Sequence, residues 1–327
     1  MGVTGPGQMR DDARPIVIPL LTARHVEEAV SPTRAVEAVR DAFVAYARGE
    51  WTMPPKVYVP AYPAGDFRAM PALGAGHALL KWVTSFPGNP ARGLPTVTGL
   101  VLLSSADDGR LRAVLDAAAV TALRTGAAAV LAAETLARPT ARDASVVGAG
   151  VNGRAVARTF AARGYEVVVW DLMEDRAQAV ARELGVGLTT RAEALSAPIV
   201  ATVTPGFQPV FEEGALLPGQ HVSLMGADGP GKGEIVAAEL ARSRVFCDDW
   251  EQASHNGDLV HAVRDGLLRE RDVTTLGAVL TGQAPGRSGE EETTTFDSTG
   301  LAIQDLAIVL AALERVDDLT DVPRFAL

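Results

Sequence analysis

The fold is decided by the stretch SVVGAGVNG, which occupies residues 145–153. It begins as a short apolar strand and continues as the G-x-G-x-x-G pattern of a dinucleotide-binding βαβ unit. In that pattern Gly148 makes a tight turn, Gly150 lets the backbone approach a pyrophosphate, and Gly153 lets the next helix pack closely on the strand. The N-terminus of this helix would face the phosphates with free N–H groups.

An acidic residue completes the pattern. Asp171 follows an apolar strand at residues 167–170 and lies 18 positions after Gly153. A carboxylate there accepts hydrogen bonds from the adenosine ribose and repels a 2′-phosphate, so the sequence favours NAD(H) over NADP(H). Arg176 lies close enough in sequence to leave NADP(H) as an alternative. A glycine-rich turn in another kind of α/β protein is the competing interpretation, and it does not account for the acid.

Beyond this motif the sequence alternates between strands and helices. Strands are predicted at residues 145–147, 167–170, 199–203 and 221–225, and helices at residues 151–162 and 175–184. Such alternation is typical of a doubly wound parallel sheet with helices on both faces. We therefore predict an α/β protein with a Rossmann-type, NAD-binding domain over residues 131–300.

The residues before this domain have a different pattern. Ser31 and Pro32 predict the start of a helix that ends near Gly49, because serine favours the N-cap and proline the first helical position. Short β-rich segments separated by Gly, Pro and Asn follow between residues 56 and 115, which is typical of an antiparallel or mixed sheet. Asp116 predicts the N-cap of a long alanine-rich helix that joins the two regions.

The apolar helix predicted at residues 303–313 lies outside the strand–helix alternation, and we expect it to return to the first region. The sequence therefore predicts a second, α+β domain formed by residues 15–130 and 301–327. Residues 1–14 are rich in Gly and in charged side chains and lack the apolar core of a signal peptide, so they are predicted to be a loose tail.

The amino-acid composition bears on the expected partners and location of the protein. The chain has 327 residues, is 47% apolar and carries a formal charge of −10. An acidic chain repels phosphate backbones and anionic membrane surfaces, so neither nucleic acid nor a membrane is an expected partner. Cys247 is the single cysteine, which excludes an internal disulfide and fits a reducing compartment; we expect it to be a small buried apolar residue. With no apolar run of about 18 residues, the expected location is the cytoplasm.

Charged residues in unusual settings are the candidates for chemistry. Arg68 lies in a short β-rich segment, where a solvated position is the simpler interpretation. Lys81 interrupts an apolar run, and a buried lysine is costly unless it meets an anion, which a substrate carboxylate would supply. Arg124 lies on the joining helix and is otherwise a surface arginine. Asp228 follows a predicted parallel strand in a glycine-rich loop, where ligands bind; it is either a turn-forming residue or a group that holds an ammonium or transfers a proton.

The two histidines in the region after residue 250, His255 and His261, have the residue type of a general base. They fall in a predicted helix–loop region, and we expect solvated or capping side chains there. Since no His, Cys and Asp residues share the spacing of metal ligands, no metal site is predicted.

Several longer motifs carry a resemblance to a known family. They are MPPKVY at residues 53–58, RAMP at 68–71, KWV at 81–83, GLPTV at 93–97, LRTG at 123–126, GADGPGK at 226–232, DDWEQ at 248–252 and TFDSTGLAIQD at 295–305. Together they resemble the ornithine cyclodeaminase/mu-crystallin family along nearly the whole chain after the tail, and most closely its archaeal-type alanine dehydrogenase branch.

The resemblance implies a role for individual residues. Arg68 and Lys81 would bind the substrate carboxylate, with Lys81 also taking part in proton transfer, and Thr299 would contact the substrate. Asp228 would be the catalytic acid/base at the substrate nitrogen; mu-crystallin-like members lack an acid there, so this chain resembles a catalyst. The cofactor-contacting positions, besides the three motif glycines, would be Thr96, Arg124, Val151, Asn152, Asp171, Lys232 and Ser298. The resemblance also implies a homodimer that meets through the sheet of the first, substrate-binding domain.

The predicted function is therefore an NAD(H)-dependent oxidoreductase that acts on the CH–NH2 or C=N group of a small L-amino or imino acid, like an alanine dehydrogenase. One alternative is an imine reductase for a cyclic imino acid or iminosuccinate. A second is an ornithine-type cyclodeaminase, and a third is a non-catalytic NAD(P)H-binding protein. The sequence does not identify the substrate, because one methylene in a pocket changes binding by only about 1–3 kcal/mol.

Overall fold

The computed structural model describes residues 17–229 and 231–326. Within these residues the strands form one sheet of seven and one of eight, which confirms the predicted α/β class with a doubly wound sheet and a second α+β unit. The predicted tail at residues 1–14 lies outside the described residues. The division into domains at residues 130 and 300 stays a prediction, because a common core cluster includes Val101 of the first sheet, Val130 between the sheets and Val146 of the second.

The first sheet is largely antiparallel. Its strands are β1 (Val17–Leu21), β2 (Val57–Ala61), β3 (Gly65–Gly74), β4 (His77–Ser85), β5 (Val97–Ser105), β6 (Leu111–Asp116) and β15 (Arg324–Ala326). They are arranged in the order β15-β1-β6-β5-β4-β3-β2, with β1 and β6 parallel. The short β-rich segments predicted between residues 56 and 115 correspond to β2–β6.

The second sheet is parallel throughout. Its strands are β7 (Asp143–Val147), β8 (Glu166–Trp170), β9 (Gly187–Leu188), β10 (Ile199–Thr202), β11 (His221–Leu224), β12 (Arg244–Cys247), β13 (Val273–Thr275) and β14 (Thr294–Asp297). They lie in the order β13-β12-β14-β11-β10-β7-β8-β9. The order reverses between β7 and β10, and ligands of such sheets bind outside the carboxyl ends of the strands at this reversal.

Helices cover both sheets. They are α1 (Ala23–Ala29), α2 (Pro32–Ala47), α3 (Ala117–Leu136), α4 (Val151–Ala162), α5 (Glu174–Leu184), α6 (Arg191–Ser196), α7 (Ala237–Leu240), α8 (Trp250–Asn256), α9 (Leu259–Arg264), α10 (Leu276–Leu280) and α11 (Ala302–Leu313). As predicted, Ser31 caps α2 through a bond from the Arg34 N–H, and Asp116 caps α3. Helix α11 packs on α2, α3, β3 and β4, so it does return to the first sheet.

Helix α3 joins the two sheets and is the centre of the core. It packs against α2, α4 and α11. Although no membrane-spanning segment was predicted, α3 is long and apolar enough to cross a membrane by length and composition alone. Its apolar surface is instead covered by the protein, since most of its side chains are buried in the core.

The two faces of the first sheet differ in what covers them. Successive side chains of a strand point to opposite faces, so Arg68 and Lys81 lie on the face that packs against α11 and are buried. The opposite face exposes apolar side chains, among them Val59, Leu80 and Trp82. One face of this sheet therefore contributes to the candidate site, and the other is an apolar surface.

Candidate active site

The glycine-rich turn has the geometry that its sequence predicted. Gly148 has a φ of +106°, and its N–H donates to the Trp170 carbonyl at 2.8 Å. A Cβ at Gly153 would collide with the Gly148 carbonyl oxygen, so only glycine allows α4 to approach the turn this closely. A Cβ at Gly150 would meet nothing within 4 Å. The space in front of Gly150, at the N-terminus of α4, is therefore open to a ligand.

Asp171 lies beside this turn at the end of β8. Its carboxylate accepts a hydrogen bond from the Ala149 N–H at 2.7 Å and another from the Met173 N–H at 2.8 Å. Val151, the first residue of α4, is 71% exposed, and Asn152 follows it in the first turn. An open N-terminus, an exposed apolar side chain and an oriented acid together fit the phosphates, the base and the ribose of a dinucleotide.

Asp228 is held between two cations. Arg68 Nη1 donates to Asp228 Oδ2 and Lys232 Nζ donates to Oδ1, both at 2.6 Å. Burial opposes ionisation, but the charges of Arg68 and Lys232 outweigh it and hold the pKa of Asp228 well below its usual range. The Asp228 side chain is still 34% exposed. It is therefore an ionised carboxylate that a ligand can reach.

Arg68 is fixed from several directions. Its Nε donates to Asp66 Oδ1 at 2.6 Å, and its guanidinium lies 5.4 Å from the centre of the Tyr58 ring. The Tyr58 hydroxyl donates to the Asp228 backbone carbonyl at 3.0 Å. These contacts from β2 and β3 tie the glycine-rich loop after β11 to the first sheet, so the site lies between the two sheets.

Lys81 has an anion inside the protein. Its Nζ lies 2.6 Å from Asp305 Oδ2 on α11, and both side chains are essentially inaccessible. Burial lowers the pKa of Lys81 to about 8 even though Asp305 opposes this shift. The expectation that a substrate carboxylate is needed to balance its charge is therefore corrected, because Asp305 does so. Arg124 Nε lies 3.7 Å from the same carboxylate, at Oδ1. The predicted roles of Lys81 and Arg124 toward ligands stay predictions.

Lys56 lies in the same cluster, although it is not among the residues predicted from the sequence. Its Nζ donates to the Thr299 carbonyl oxygen at 2.5 Å. Within the described residues it forms no ion pair within 4 Å of a carboxylate, unlike Arg68, Lys81 and Lys232. Burial lowers its pKa to about 7, although Asp228 and Asp248 oppose this shift. Its place in the MPPKVY motif, at the start of β2, was the available signal.

The loop after β14 lies against this cluster. Ser298 and Thr299 are buried, and their hydroxyls donate to the Asp248 carboxylate at 3.3 and 3.2 Å. Gly300, with a φ of +76°, lies against the Arg124 guanidinium, where a side chain would not fit. The loop therefore brings Ser298 and Thr299 to the carboxyl edge of the second sheet. Thr96, in contrast, precedes β5 and accepts from the Phe86 N–H through its carbonyl at 2.8 Å, with no bond to the cluster among the described contacts.

The remaining candidates have structural contacts. His255 is exposed, as expected, whereas a ring nitrogen of His261 lies 3.1 Å from the Lys232 carbonyl oxygen and so supports the glycine-rich loop. Cys247 is buried at the end of β12, as predicted, and burial raises the pKa of its thiol. Across residues 17–229 and 231–326, no group of three His, Cys, Asp or Glu side chains could hold a metal ion.

Fold and site together define a two-sheet α/β protein with a dinucleotide-type turn facing a cluster of buried cations and carboxylates. Residues 17–319 match the model of the ornithine cyclodeaminase/mu-crystallin family, and the chain belongs to that family. It is 41% identical to the alanine dehydrogenase of Archaeoglobus fulgidus over 305 residues, 90% of this chain and 94% of that protein. The sequence-based recognition of the family, and of its similarity to the archaeal alanine dehydrogenase, is thereby confirmed.

The similarity extends to solved structures of a dehydrogenase and a reductase. An archaeal alanine dehydrogenase dimer with bound NAD superposes with a TM-score of 0.89 at 38% identity, covering 95% of this chain and 99% of that one. The iminosuccinate reductase of Paracoccus denitrificans in complex with NAD+ superposes with a TM-score of 0.86 at 28% identity, covering 95% of this chain and all of the other.

Proposed function

We propose that this protein is an NAD(H)-dependent enzyme that interconverts a small L-amino acid and its imine or 2-oxo acid, like an alanine dehydrogenase. The observation that carries the proposal is the position of Asp228. This ionised, ligand-accessible carboxylate lies in the loop after β11, at the same edge of the second sheet as the turn at Gly148–Gly150. The similarity to dehydrogenases and reductases with bound NAD supports the same cofactor here.

Each part of the site has a chemical task. Bound NAD(H) supplies or accepts the hydride. Asp228 carries its negative charge next to the substrate nitrogen, where it favours the protonated, cationic imine. Its lowered pKa makes it a weak proton acceptor, so its proposed task is to stabilise this positive charge. Arg68 and Lys232 keep that carboxylate ionised and oriented. Since an iminium is a better hydride acceptor than a neutral imine, this arrangement favours the transition state over the free reactants.

The substrate carboxylate is proposed to bind Lys56, with Arg68, Lys81, Arg124 and Thr299 completing its surroundings. Lys56 is the cation of this cluster that forms no ion pair among the described residues, so it retains the strongest attraction for an added anion. When two side chains contact the planar carboxylate of the substrate, they hold its α-carbon in one orientation. Orientation of this kind supplies a substantial part of the barrier reduction in reactions between bound groups.

The site favours this reaction over cyclodeamination of a diamino acid. A diamino acid brings a second ammonium group, which needs a carboxylate partner of its own. Among the described residues, Asp66 pairs with Arg68, Asp305 with Lys81, and Asp228 with two cations. The acids of the cluster are therefore already engaged, and a monoamino or imino acid needs only Asp228, at its single nitrogen.

We further propose that the protein is located in the cytoplasm. We also propose that two copies form a homodimer through the exposed face of the first sheet. Leu80, Trp82 and Leu100 are exposed on this face at 37%, 42% and 53%, and Phe67 stacks on Trp82 with ring centres 5.7 Å apart. A contiguous apolar surface of this kind marks an interaction site. The archaeal alanine dehydrogenase of similar fold is a dimer, which supports the same assembly.

NADH oxidation at 340 nm tests the proposal. The purified protein is incubated with NADH, ammonium and one oxo acid at a time, namely pyruvate, glyoxylate, 2-oxobutyrate or oxaloacetate, with preformed cyclic imines in parallel. Turnover that requires both ammonium and an oxo acid supports the dehydrogenase, and turnover of a cyclic imine without ammonium supports the imine reductase. Proline formed from ornithine with no net change at 340 nm would instead establish a cyclodeaminase, and tight NADH binding without any turnover would establish a binding protein.

A further inference from the structure

The DDWEQ motif at residues 248–252 contains an acid that the proposed reaction does not use. Asp248 follows β12, is 2% exposed and lies at the carboxyl edge of the second sheet. Its carboxylate receives the Ser298 and Thr299 hydroxyls, the Gly300 N–H at 2.8 Å and the Asp249 N–H at 2.8 Å. Three consecutive residues of the loop after β14 are thus attached to one carboxylate.

The loop held in this way acts on two cations of the site. The Thr299 carbonyl accepts from Lys56 Nζ at 2.5 Å, and Gly300 lies against the guanidinium of Arg124. Lys56 is at the start of β2 in the first sheet, while Asp248 is in the second. The contacts from Asp248 through Thr299 to Lys56 therefore connect the two sheets at the point where cofactor and substrate are proposed to meet.

We infer that Asp248 is a positioning residue for the substrate carboxylate: it fixes the loop Ser298–Gly300 so that the Thr299 carbonyl orients Lys56, and its negative charge favours the protonated form of that lysine. This inference rests on the proposed function and names a residue through which the same site is regulated by pH. Asp248 touches neither substrate nor cofactor in this role, and acts through Lys56.

The surrounding charges determine the direction of the effect. Lys56 faces Asp228, Arg68, Asp248 and Arg124; burial lowers its pKa to about 7, and the two aspartates raise it. Burial raises the pKa of Asp248 to about 6, and Lys56 opposes this shift while Asp249 adds to it; Asp297, beside β12, is its other acidic neighbour. Asp248 is therefore mostly ionised above pH 6. Lys56 loses its charge as the pH rises through about 7, so the affinity for an anionic substrate should fall there.

The test is the pH dependence of kcat/KM for the oxo acid in wild type and in Asp248→Asn between pH 6 and 9. Removing the Asp248 charge should move the alkaline limb down by about one pH unit, the usual effect of one nearby charge, and so raise KM about fivefold at pH 7 and about tenfold above pH 8. The value of kcat should change much less, because Asp228 is unaltered. Asp265→Asn is the control; this exposed acid pairs with Arg264 and is not among the charges that act on Lys56 or Asp248, so it should leave the profile unchanged.

A double-mutant cycle separates charge from general stability. Arginine keeps its charge throughout this pH range, so in a Lys56→Arg background Asp248→Asn should no longer move the alkaline limb. If Asp248→Asn shifts the limb equally in both backgrounds, or leaves both KM and the limb at wild-type values, the inference is wrong.

A second variant covers the case in which Asp248→Asn does not fold. Thr299→Val removes one hydroxyl from the Asp248 carboxylate but keeps its charge, so KM should rise while the alkaline limb stays in place. An unchanged KM in Thr299→Val would contradict the positioning role.

Quenching of NADH fluorescence by pyruvate without ammonium reports the affinity for the oxo acid without turnover. If wild type turns over none of the oxo acids yet binds pyruvate with this pH dependence, the proposed reaction fails and the role of Asp248 stands.

Discussion

Asp228 shows how far the chemistry of the site depends on single residues. Two cations at 2.6 Å keep it ionised in a site that otherwise favours neutral groups. Replacement by asparagine keeps the shape and removes the charge that is proposed to favour the iminium. We expect Asp228→Asn to lower kcat by about 10²-fold or more, the usual scale for the loss of one preorganised electrostatic contact, while NADH still binds. Stopped-flow or steady-state assays at 340 nm measure the first effect, and fluorescence titration measures the second.

A suitable control is Asp265→Asn, since Asp265 is an exposed acid that pairs with Arg264 in the turn after α9. It should leave both kcat and NADH binding unchanged. A near-normal kcat in Asp228→Asn would remove this residue from the mechanism, whatever the reaction proves to be.

At this scale the sequence predicted some residues better than others. The position of Asp228 in the charged cluster could be predicted, because a glycine-rich loop after a parallel strand is a ligand position in this fold class; its catalytic role stays a prediction. The anion that balances Lys81 could not, because Asp305 is more than two hundred residues away and meets it only when α11 packs on β4. Lys56 and Asp248 were missed for a similar reason. Each is an ordinary charged residue within its own segment, and only the folded structure brings both into contact with the loop at residues 298–300.

Among the elements, the turn between β7 and α4 was the most predictable, since each glycine has a separate steric reason. It also gives a matched pair of substitutions. Gly150 has an ordinary φ of −73°, and a Cβ added there meets open space. The free energy of unfolding of Gly150→Ala should therefore lie within about 1 kcal/mol of that of the wild type. The added methyl should occupy the place proposed for the pyrophosphate and weaken NADH binding by at least about tenfold, the equivalent of 1.4 kcal/mol.

Gly153→Ala, unlike Gly150→Ala, should lower the stability of the protein. Its Cβ would overlap the Gly148 carbonyl, so α4 must move away from β7 and the midpoint of urea unfolding should fall. Urea unfolding and NADH titration of both variants distinguish these outcomes. If Gly150→Ala binds NADH as wild type does, the dinucleotide does not approach the backbone here, and the proposed orientation of the cofactor is incorrect.

The elements that the sequence analysis missed have weak local signals. Strand β14 is four residues long and is inserted between β11 and β12 although it follows both in the chain. It is fully buried, yet it begins with the polar residues Thr294 and Thr295, which do not predict a strand of the core. The Thr294 hydroxyl donates to the Leu136 carbonyl at 3.1 Å, so its burial is compensated by a bond to α3. Only tertiary structure supplies that partner.

At the scale of the whole molecule, the first sheet has two tasks on its two faces. The face with Arg68 and Lys81 is covered by α11 and contributes to the site, and the opposite face leaves Leu80, Trp82 and Leu100 exposed. A dimer that covers the exposed face would hold β3 and β4 in place from behind. In that arrangement the interface supports the cation cluster without contributing a residue to it.

The proposed dimer can therefore be separated from catalysis by a substitution on the outer face. Leu80→Asp puts a charge on the outer face next to Pro71 and Leu102, where water can solvate it in a single chain but not in a dimer. Burying an unpaired charge is strongly unfavourable, so sedimentation velocity should show wild type as a dimer and Leu80→Asp as a monomer that still binds NADH. Leu267→Asp, at a 48% exposed position after α9, should stay dimeric. A Leu80→Asp protein that sediments as a dimer would place the subunit contact elsewhere, because a contact centred on this face would bury that carboxylate without a partner.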